Sequence, residues 1–304
     1  MRAVAIGGGH GASRTLAALR TLTDEVTAIV TVADDGGSSG RLRRELGVVP
    51  PGDLRMAIAA LAPDEPWTDL IGHRFSGGQL AGHSLGNLLL VALIERYDGN
   101  VVAALDELCR LLGATGRVLP CTATPVTLHA TGATGQIDGQ AAIAATARLD
   151  RVWLEPDAPP ATPEAQDALA DADLVVIGPG SLYTSLLPNL LVPGITAALQ
   201  NSRAVTVFVA NLREQLGETE GMTLGDHLAA IREHVGDVGI DVIVVHDGPI
   251  ADGHPIAVDQ DMRDVDAQIV TADVWKRDDP HGGHDPGILA GVLRRMTNRI
   301  DHDR

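Results

Sequence analysis

Lysine is almost missing from this chain. It occurs once, at Lys276 in "VWKRDDPHGG", and arginine supplies the rest of the 23 basic side chains. A Walker phosphate loop needs GxxxxGK[ST], so that nucleotide-binding device is excluded. The Tyr-xxx-Lys couple of short-chain dehydrogenases is excluded as well, because neither Tyr97 nor Tyr183 has lysine at that spacing. Schiff-base chemistry would rest on Lys276 alone. Cysteine is nearly as scarce: Cys109 and Cys121 have neither CxxC nor CxxH spacing, which predicts free thiols in a reducing compartment rather than a disulfide or zinc site. No apolar run reaches the roughly 18 residues of a membrane span. Met1 passes directly into "RAVAI" without the apolar core and cleavage site of a signal peptide. The expectation is a cytoplasmic protein with no membrane insertion.

What the chain does carry is acid. Its formal net charge is -17 and its sequence pI about 4.9, so the average surface repels nucleic acid and no nucleic-acid partner is expected. An anionic ligand would have to be met by backbone N–H groups or local arginines. With 304 residues and 45% hydrophobic content there is material for a sizeable core.

Residues 2–6 and 26–32 read as buried strands around "ASRTLAALRTL", which has helical spacing of Leu16, Leu19 and Leu22. That is a βαβ unit, with parallel pairing and a right-handed crossover. Helices are predicted over 52–62, 84–96, 101–112, about 190–201 and 223–235, and at the C-terminus in "DPGILAGVLRRM". The second is apolar enough to be largely buried. Short turn-separated runs between 116 and 155 predict a β-rich insert. The strand series resumes in "DLVVIGPGSLYTS", "AVTVFVANL" and "DVIVVHDG". This order predicts one Rossmann-like, doubly wound α/β domain over 1–304, with a mostly parallel sheet and that small insertion.

In such a sheet ligands lie beyond the carboxyl ends of the strands, so the loops there are the places to look. "AIGGGHGASRT" fits GxGxxA through Gly7, Gly8, Gly9, His10, Gly11 and Ala12, a strand-to-helix turn suited to phosphate. Asp34 ends the second strand where a ribose-binding acid would stand. Together with Asp35 it offers a seat for a hydrated divalent cation, while turn capping is the plainer reading of both. The amides of Gly36 and Gly37 and the hydroxyls of Ser38 and Ser39 can donate hydrogen bonds. Arg41, Arg43 and Arg44 follow, and as a helix face they read as solvated charge. Asp53 and Arg55 open a helix in "PPGDLRM", where Asp53 reads as a ligand group or as the N-cap. His83, Ser84 and Asn87 in "GHSLGN" read either as a capped helix start or as polar groups in a pocket. Gly178, Gly180, Ser181 and Thr184 repeat the strand–glycine–helix logic, and Asn211 opens a further strand-end loop, 211–220, that belongs with them. His281 and His284 in "HGGHDP" have a metal-ligand spacing but are expected in a solvated loop.

The blocks "IGGGHGASRTL", "TVADDGGSSGRLRRELGVVPPGDLRMAIAAL", "AGHSLGNLLLVAL", "LPCTATPVTLHA", "VIGPGSLYTSLLPNLLVPGI", "GETEGMTLGDHL" and "HDPGILAGVL" together resemble the YvcK-type gluconeogenesis factors, within the wider 2-phospho-L-lactate transferase family. The resemblance implies a cytoplasmic protein binding a nucleotide-diphosphate sugar such as UDP-N-acetylglucosamine. It also implies a role in cell shape and cell-wall maintenance on gluconeogenic carbon sources, and a cell-wall or signalling protein as partner. It attaches no reaction to this branch. The transferase relatives move phospholactyl from a guanosine-diphosphate-activated donor to a deazaflavin alcohol with a divalent metal. By that analogy Asp34 and Asp35 would hold Mg2+. An NAD-dependent oxidoreductase ranks third, on GxGxxA plus Asp34. A homo-oligomer is left open. The sequence departs from the family pattern at His10, at Met56 and at Met222, where an aromatic residue is expected.

Overall fold

A computed structural model describes residues 1–133, 135–251, 253–259, 266–277 and 282–303. Ten strands lie in two sheets: β1 (Ala3–Gly7), β2 (Val26–Val30), β3 (Arg117–Pro120), β4 (Thr127–Gly132), β5 (Gly135–Asp138), β6 (Leu149–Glu155), β7 (Leu174–Ile177), β8 (Val205–Val209), β9 (Val242–His246) and β10 (Gln268–Ala272). Seven of them form a parallel sheet in the order β10-β9-β8-β7-β1-β2-β3. The chain winds outward from β1 to β3, returns to the other side of β1 at β7, and then winds outward again to β10. The switch of direction therefore falls between β1 and β7, which pair from Ala3↔Leu174 to Ile6↔Ile177. Crevices for ligands open at that point in sheets of this kind.

β1 and β7 are buried along their whole length, as expected of parallel strands covered by helices on both faces. The helix Gly9–Leu19 buries Leu16, Ala18 and Leu19. Its Thr15 hydroxyl donates to the Gly178 carbonyl at 2.7 Å, tying the first helix to the loop after β7. The C-terminal helix Pro286–Asp303 lies against it, with Leu289, Leu293 and Met296 buried.

The antiparallel sheet β5-β4-β6 is the expected insert, but its boundary is later than 116. Residues 117–120 form β3 and pair with β2 as an edge of the main sheet. In the insert, Leu128, Ala130, Val152 and Leu154 are buried, while the alternate positions Thr127, Arg151 and Glu155 look outward. That period-2 pattern seats one face of a small sheet on a larger body. The helix Leu85–Arg96 is only half sunk. Gly86, Asn87, Leu90, Val91 and Ile94 face inward, and Leu89 stays 40% exposed. A helix in an outer layer can bury one stripe, however apolar its other side. Among the described residues no single helix is long and apolar enough to cross a membrane.

Candidate functional site

A cleft of about 560 Å³ opens at the switch point, lined by Gly8–Gly11, Arg14, Gly180, Ser181, Asn211, Arg213, Gln215 and Gly282–His284 among others. That volume is within the range of small-molecule sites. Its floor is the N-terminus of the helix Gly9–Leu19, whose first-turn N–H groups have no intrahelical acceptors and carry the positive end of the helix dipole. Two glycines there serve different ends. Gly11 is forced by packing, since a Cβ would run into the Pro179 backbone carbonyl. Gly9 has φ +61° with nothing within 4 Å of where its Cβ would point, so it serves the turn and leaves the space above it open. His10 also lines this cleft.

The opposite wall is fastened at three levels. Asn211 clamps Gly180, accepting from its N–H and donating to its carbonyl, both at 2.9 Å. Gln215 Nε2 donates to Ser181 Oγ at 2.6 Å. Deeper in, Glu218 accepts from the N–H groups of Tyr183 (2.6 Å) and Thr184 (2.9 Å) and from the Thr184 hydroxyl. Burial raises the Glu218 carboxyl above the ordinary range, and the hydrogen bonds from Thr184 and Tyr183 oppose that rise. The arrangement changes the meaning of the second glycine loop. Gly178, Gly180 and Ser181 reach the crevice as expected, but the amides that follow them are already taken by an internal carboxylate. The helix beginning at Gly9 is the N-terminus left for a ligand anion.

His284 corrects an expectation. It is 4% exposed, lines the cleft and has Nε2 3.1 Å from the Ala210 carbonyl, so it is no part of a solvated loop. Burial pulls its pKa down to about 4, leaving a neutral ring that donates from Nε2 to that carbonyl. His281 lies outside the described residues.

Asp34 and Asp35 diverge. Asp34 Oδ1 accepts from Gly36 N–H at 2.9 Å, the turn-capping role weighed from the sequence. Asp35 Oδ1 accepts from Ala141 N–H at 2.9 Å, at the first turn of the short insert helix Gln140–Ala144. Each carboxylate thus has one oxygen committed to a different backbone N–H. Among the described residues no group of three or more His, Cys, Asp or Glu side chains is placed to hold a metal ion.

Asp53 is in the first turn of its helix, but the N-cap position belongs to Pro51. Its carboxylate instead accepts from the Gly9 N–H, and burial pushes its pKa up to about 7, with Asp34 adding to the rise. A Cβ on Gly8 would stand 2.7 Å from Asp53 Oδ2. Asp53 is thus the contact between the glycine loop and the group behind it. That group is Ser38, Arg55, His83 and Asn87, all buried and mutually hydrogen-bonded. Ser84 caps its helix, accepting from Asn87 N–H at 3.3 Å. None of these five residues lines the cleft. Gly36 is half-buried, and Gly37 is exposed with open space around it.

Arg14 was not singled out from the sequence, and Arg213, Gln215 and Glu218 were included only as members of the strand-end loop 211–220. Arg14 reads as one polar position of an amphipathic helix. The other three stand in "LREQLGETEG", a stretch whose shape comes from contacts with a loop some 30 residues earlier.

The family model for 2-phospho-L-lactate transferase CofD matches residues 3–277. A putative gluconeogenesis factor of Mycobacterium tuberculosis is 47% identical over 313 residues, covering 97% of this chain and 90% of that protein. The gluconeogenesis factor of Bacillus subtilis is 46% identical over 250 residues, covering 81% of this chain and 78% of that protein. A crystal structure of a UPF0052 family member from Bacillus halodurans superposes with a TM-score of 0.91 at 39% identity, covering 96% of this chain and 98% of that one.

Proposed function

This chain belongs to the gluconeogenesis-factor family, and we propose that it is a regulatory protein that binds a nucleotide-diphosphate sugar in the switch-point cleft. UDP-N-acetylglucosamine is the ligand we favour, and maintenance of cell shape and cell wall on gluconeogenic carbon is the role. One observation carries the reading: a cleft of ligand size whose floor is a helix N-terminus, between Gly9, whose own N–H is held by Asp53, and the Gly180–Ser181 loop. Backbone N–H groups and a helix dipole suit a diphosphate. Arg14 and Arg213 line the same space and supply local positive charge in a chain of net charge -17, as an anionic ligand of an acidic protein requires.

The second reading is a phospholactate-type transferase, favoured by the family model and by Asp53. A carboxyl with a pKa of about 7 beside the Gly9 N–H has the protonation balance of a general base or acid at neutral pH.

Titration calorimetry with UDP-N-acetylglucosamine, GDP and NAD, each with and without magnesium, separates the readings. UDP-sugar preference with no product on long incubation is the expected result. Magnesium-dependent GDP preference with turnover of an activated phosphodiester would replace it with the transferase, and hydride transfer from a nicotinamide cofactor with an oxidoreductase.

A further inference from the structure

Behind the glycine loop lies a hydrogen-bonded chain whose polarity is fixed from one end. Arg55 Nε can only donate, and it does so to Asn87 Oδ1 at 3.1 Å. This sets the Asn87 amide, so Nδ2 donates to Ser38 Oγ at 3.0 Å. The Ser38 hydroxyl hydrogen is then directed to His83 Nδ1, 2.9 Å away, and the imidazole proton belongs on Nε2. Both ends of the chain are therefore donors: the two terminal nitrogens of Arg55, and His83 Nε2–H. Neither end has an acceptor among the described residues. None of these atoms is among the fully enclosed unpaired ones, so they reach solvent.

Cations outweigh the acids around them. Arg55 is 8% exposed, and Arg74, another cation, lowers its pKa in the same sense as burial; Asp53 acts the other way more weakly. Arg74 donates to the Gly82 carbonyl at 3.0 Å and Arg41 to the Ala81 carbonyl at 2.6 Å, so both arginines are held on the segment that leads into His83. His83 feels Arg41 more strongly than Glu45. None of Arg41, Arg55 and Arg74 has a carboxylate within 4 Å among the described residues, although the chain carries 40 acids. A buried arginine with a purely structural role takes a paired carboxylate.

Gly86 packs closely on this arginine. A Cβ there would lie 2.7 Å from Arg55 Cδ and 2.9 Å from its Cγ, and also 2.7 Å from the Ile71 backbone carbonyl, so main-chain packing calls for glycine there as well. Gly86 sits inside the helix Leu85–Arg96, where glycine costs stability that alanine would not.

We propose that Arg55, flanked by Arg74 and Arg41 and by His83 Nε2, binds the oxyanion group, phosphate or carboxylate, of a second small ligand separate from the nucleotide in the cleft. Donors at both ends of the network and a buried arginine without a carboxylate partner, with the half-buried Arg41 and the exposed Arg74 beside it, point to an acceptor supplied from outside. The site shares with the cleft only the Asp53–Gly9 contact.

Equilibrium dialysis with radiolabelled inorganic phosphate, at ionic strength held constant with chloride, tests this on the full chain. Wild-type protein should bind one phosphate saturably, Arg55→Gln should weaken it at least about tenfold, and Arg74→Gln severalfold. Competition by acetate assigns the site to a carboxylate ligand and its failure to a phosphate ligand; both support the proposal. Saturating UDP-N-acetylglucosamine should leave the phosphate bound. No saturable binding, or binding that Arg55→Gln leaves intact and UDP-N-acetylglucosamine displaces, overturns the proposal. If Arg55→Gln does not fold, Arg74→Gln and His83→Gln carry the test, and wild-type affinity in both would count against it. Loss of UDP-sugar binding with Arg55-dependent phosphate binding intact would sink the reading of the cleft and leave this one standing.

Discussion

Asp53→Asn should stabilise the folded chain, and by more as pH rises. In the native protein burial and the nearby Asp34 hold the Asp53 carboxyl at about 7, against 3.8 for the ordinary side chain. The native state therefore binds the proton more tightly than the unfolded chain, and stability falls as pH rises from about 4 to about 7, then levels off. Three pKa units correspond to about 4 kcal/mol of cost once the group is ionised in both states. The cost is about 2 kcal/mol at pH 5 and about 4 kcal/mol at pH 8. Asparagine keeps an oxygen to accept the Gly9 N–H and never ionises, so the variant escapes this cost. Urea unfolding of both proteins at pH 5, 6, 7 and 8 should show the variant's advantage growing by about 2 kcal/mol across the series. An advantage that stays constant with pH, or shrinks, would refute the assignment of a buried, half-protonated carboxyl.

Three further outcomes follow from the same geometry. Gly11→Ala, which drives a Cβ against the Pro179 carbonyl, should cost about 1–3 kcal/mol and abolish UDP-sugar binding in calorimetry. Glu218→Ala leaves the buried N–H groups of Tyr183 and Thr184 without their acceptor; a loss of about 2–6 kcal/mol in urea unfolding is expected, given a penalty of about 1–3 kcal/mol per orphaned group. Burial lifts the Cys109 thiol to about 11 and Cys121 to about 12, so at pH 8 neither should react with a thiol reagent until denaturant is added.

The strands and most helices were legible because each carries its own signal. β1, β2, β7 and β8 are short apolar runs ended by glycine or a polar turn, and the helices 52–61 and 101–111 begin and end within a residue of the span their periodicity gave. β10 was not legible. As an edge strand with Gln268, Ile269 and Thr271 exposed, it lacks the continuous apolar run by which its neighbours were found. β3 was assigned to the insert because local pattern cannot tell which sheet a four-residue strand will join. In the site, the glycine loops were legible from strand–turn–helix grammar, whereas the destinations of side chains were not. Asp34 and Asp35 are adjacent in sequence, yet one folds back on Gly36 and the other reaches residue 141. His284 read as solvent-exposed because "HGGHDP" is polar. Its burial against Ala210 comes from a partner 74 residues away.

The divergence of the two aspartates bears on how the candidate site divides its labour. Asp35 reaches the insert helix and Asp34 its own turn, while helix dipoles and guanidinium groups bring positive charge to the crevice. The chain places these in two sets. Arg14 and Arg213 line the cleft, and Arg41, Arg55 and Arg74 gather behind Asp53. Asp53 stands between the sets as a carboxyl with its pKa near 7. An anion bound near either set would favour the neutral form of Asp53, and by linkage the protonation of Asp53 would favour the anion. Ligand affinity in wild-type protein should therefore fall between pH 6 and 8 more steeply than in Asp53→Asn. Calorimetric pH profiles of the two proteins, with the same ligand, would separate a carboxyl that senses the crevice from one that is only buried beside it.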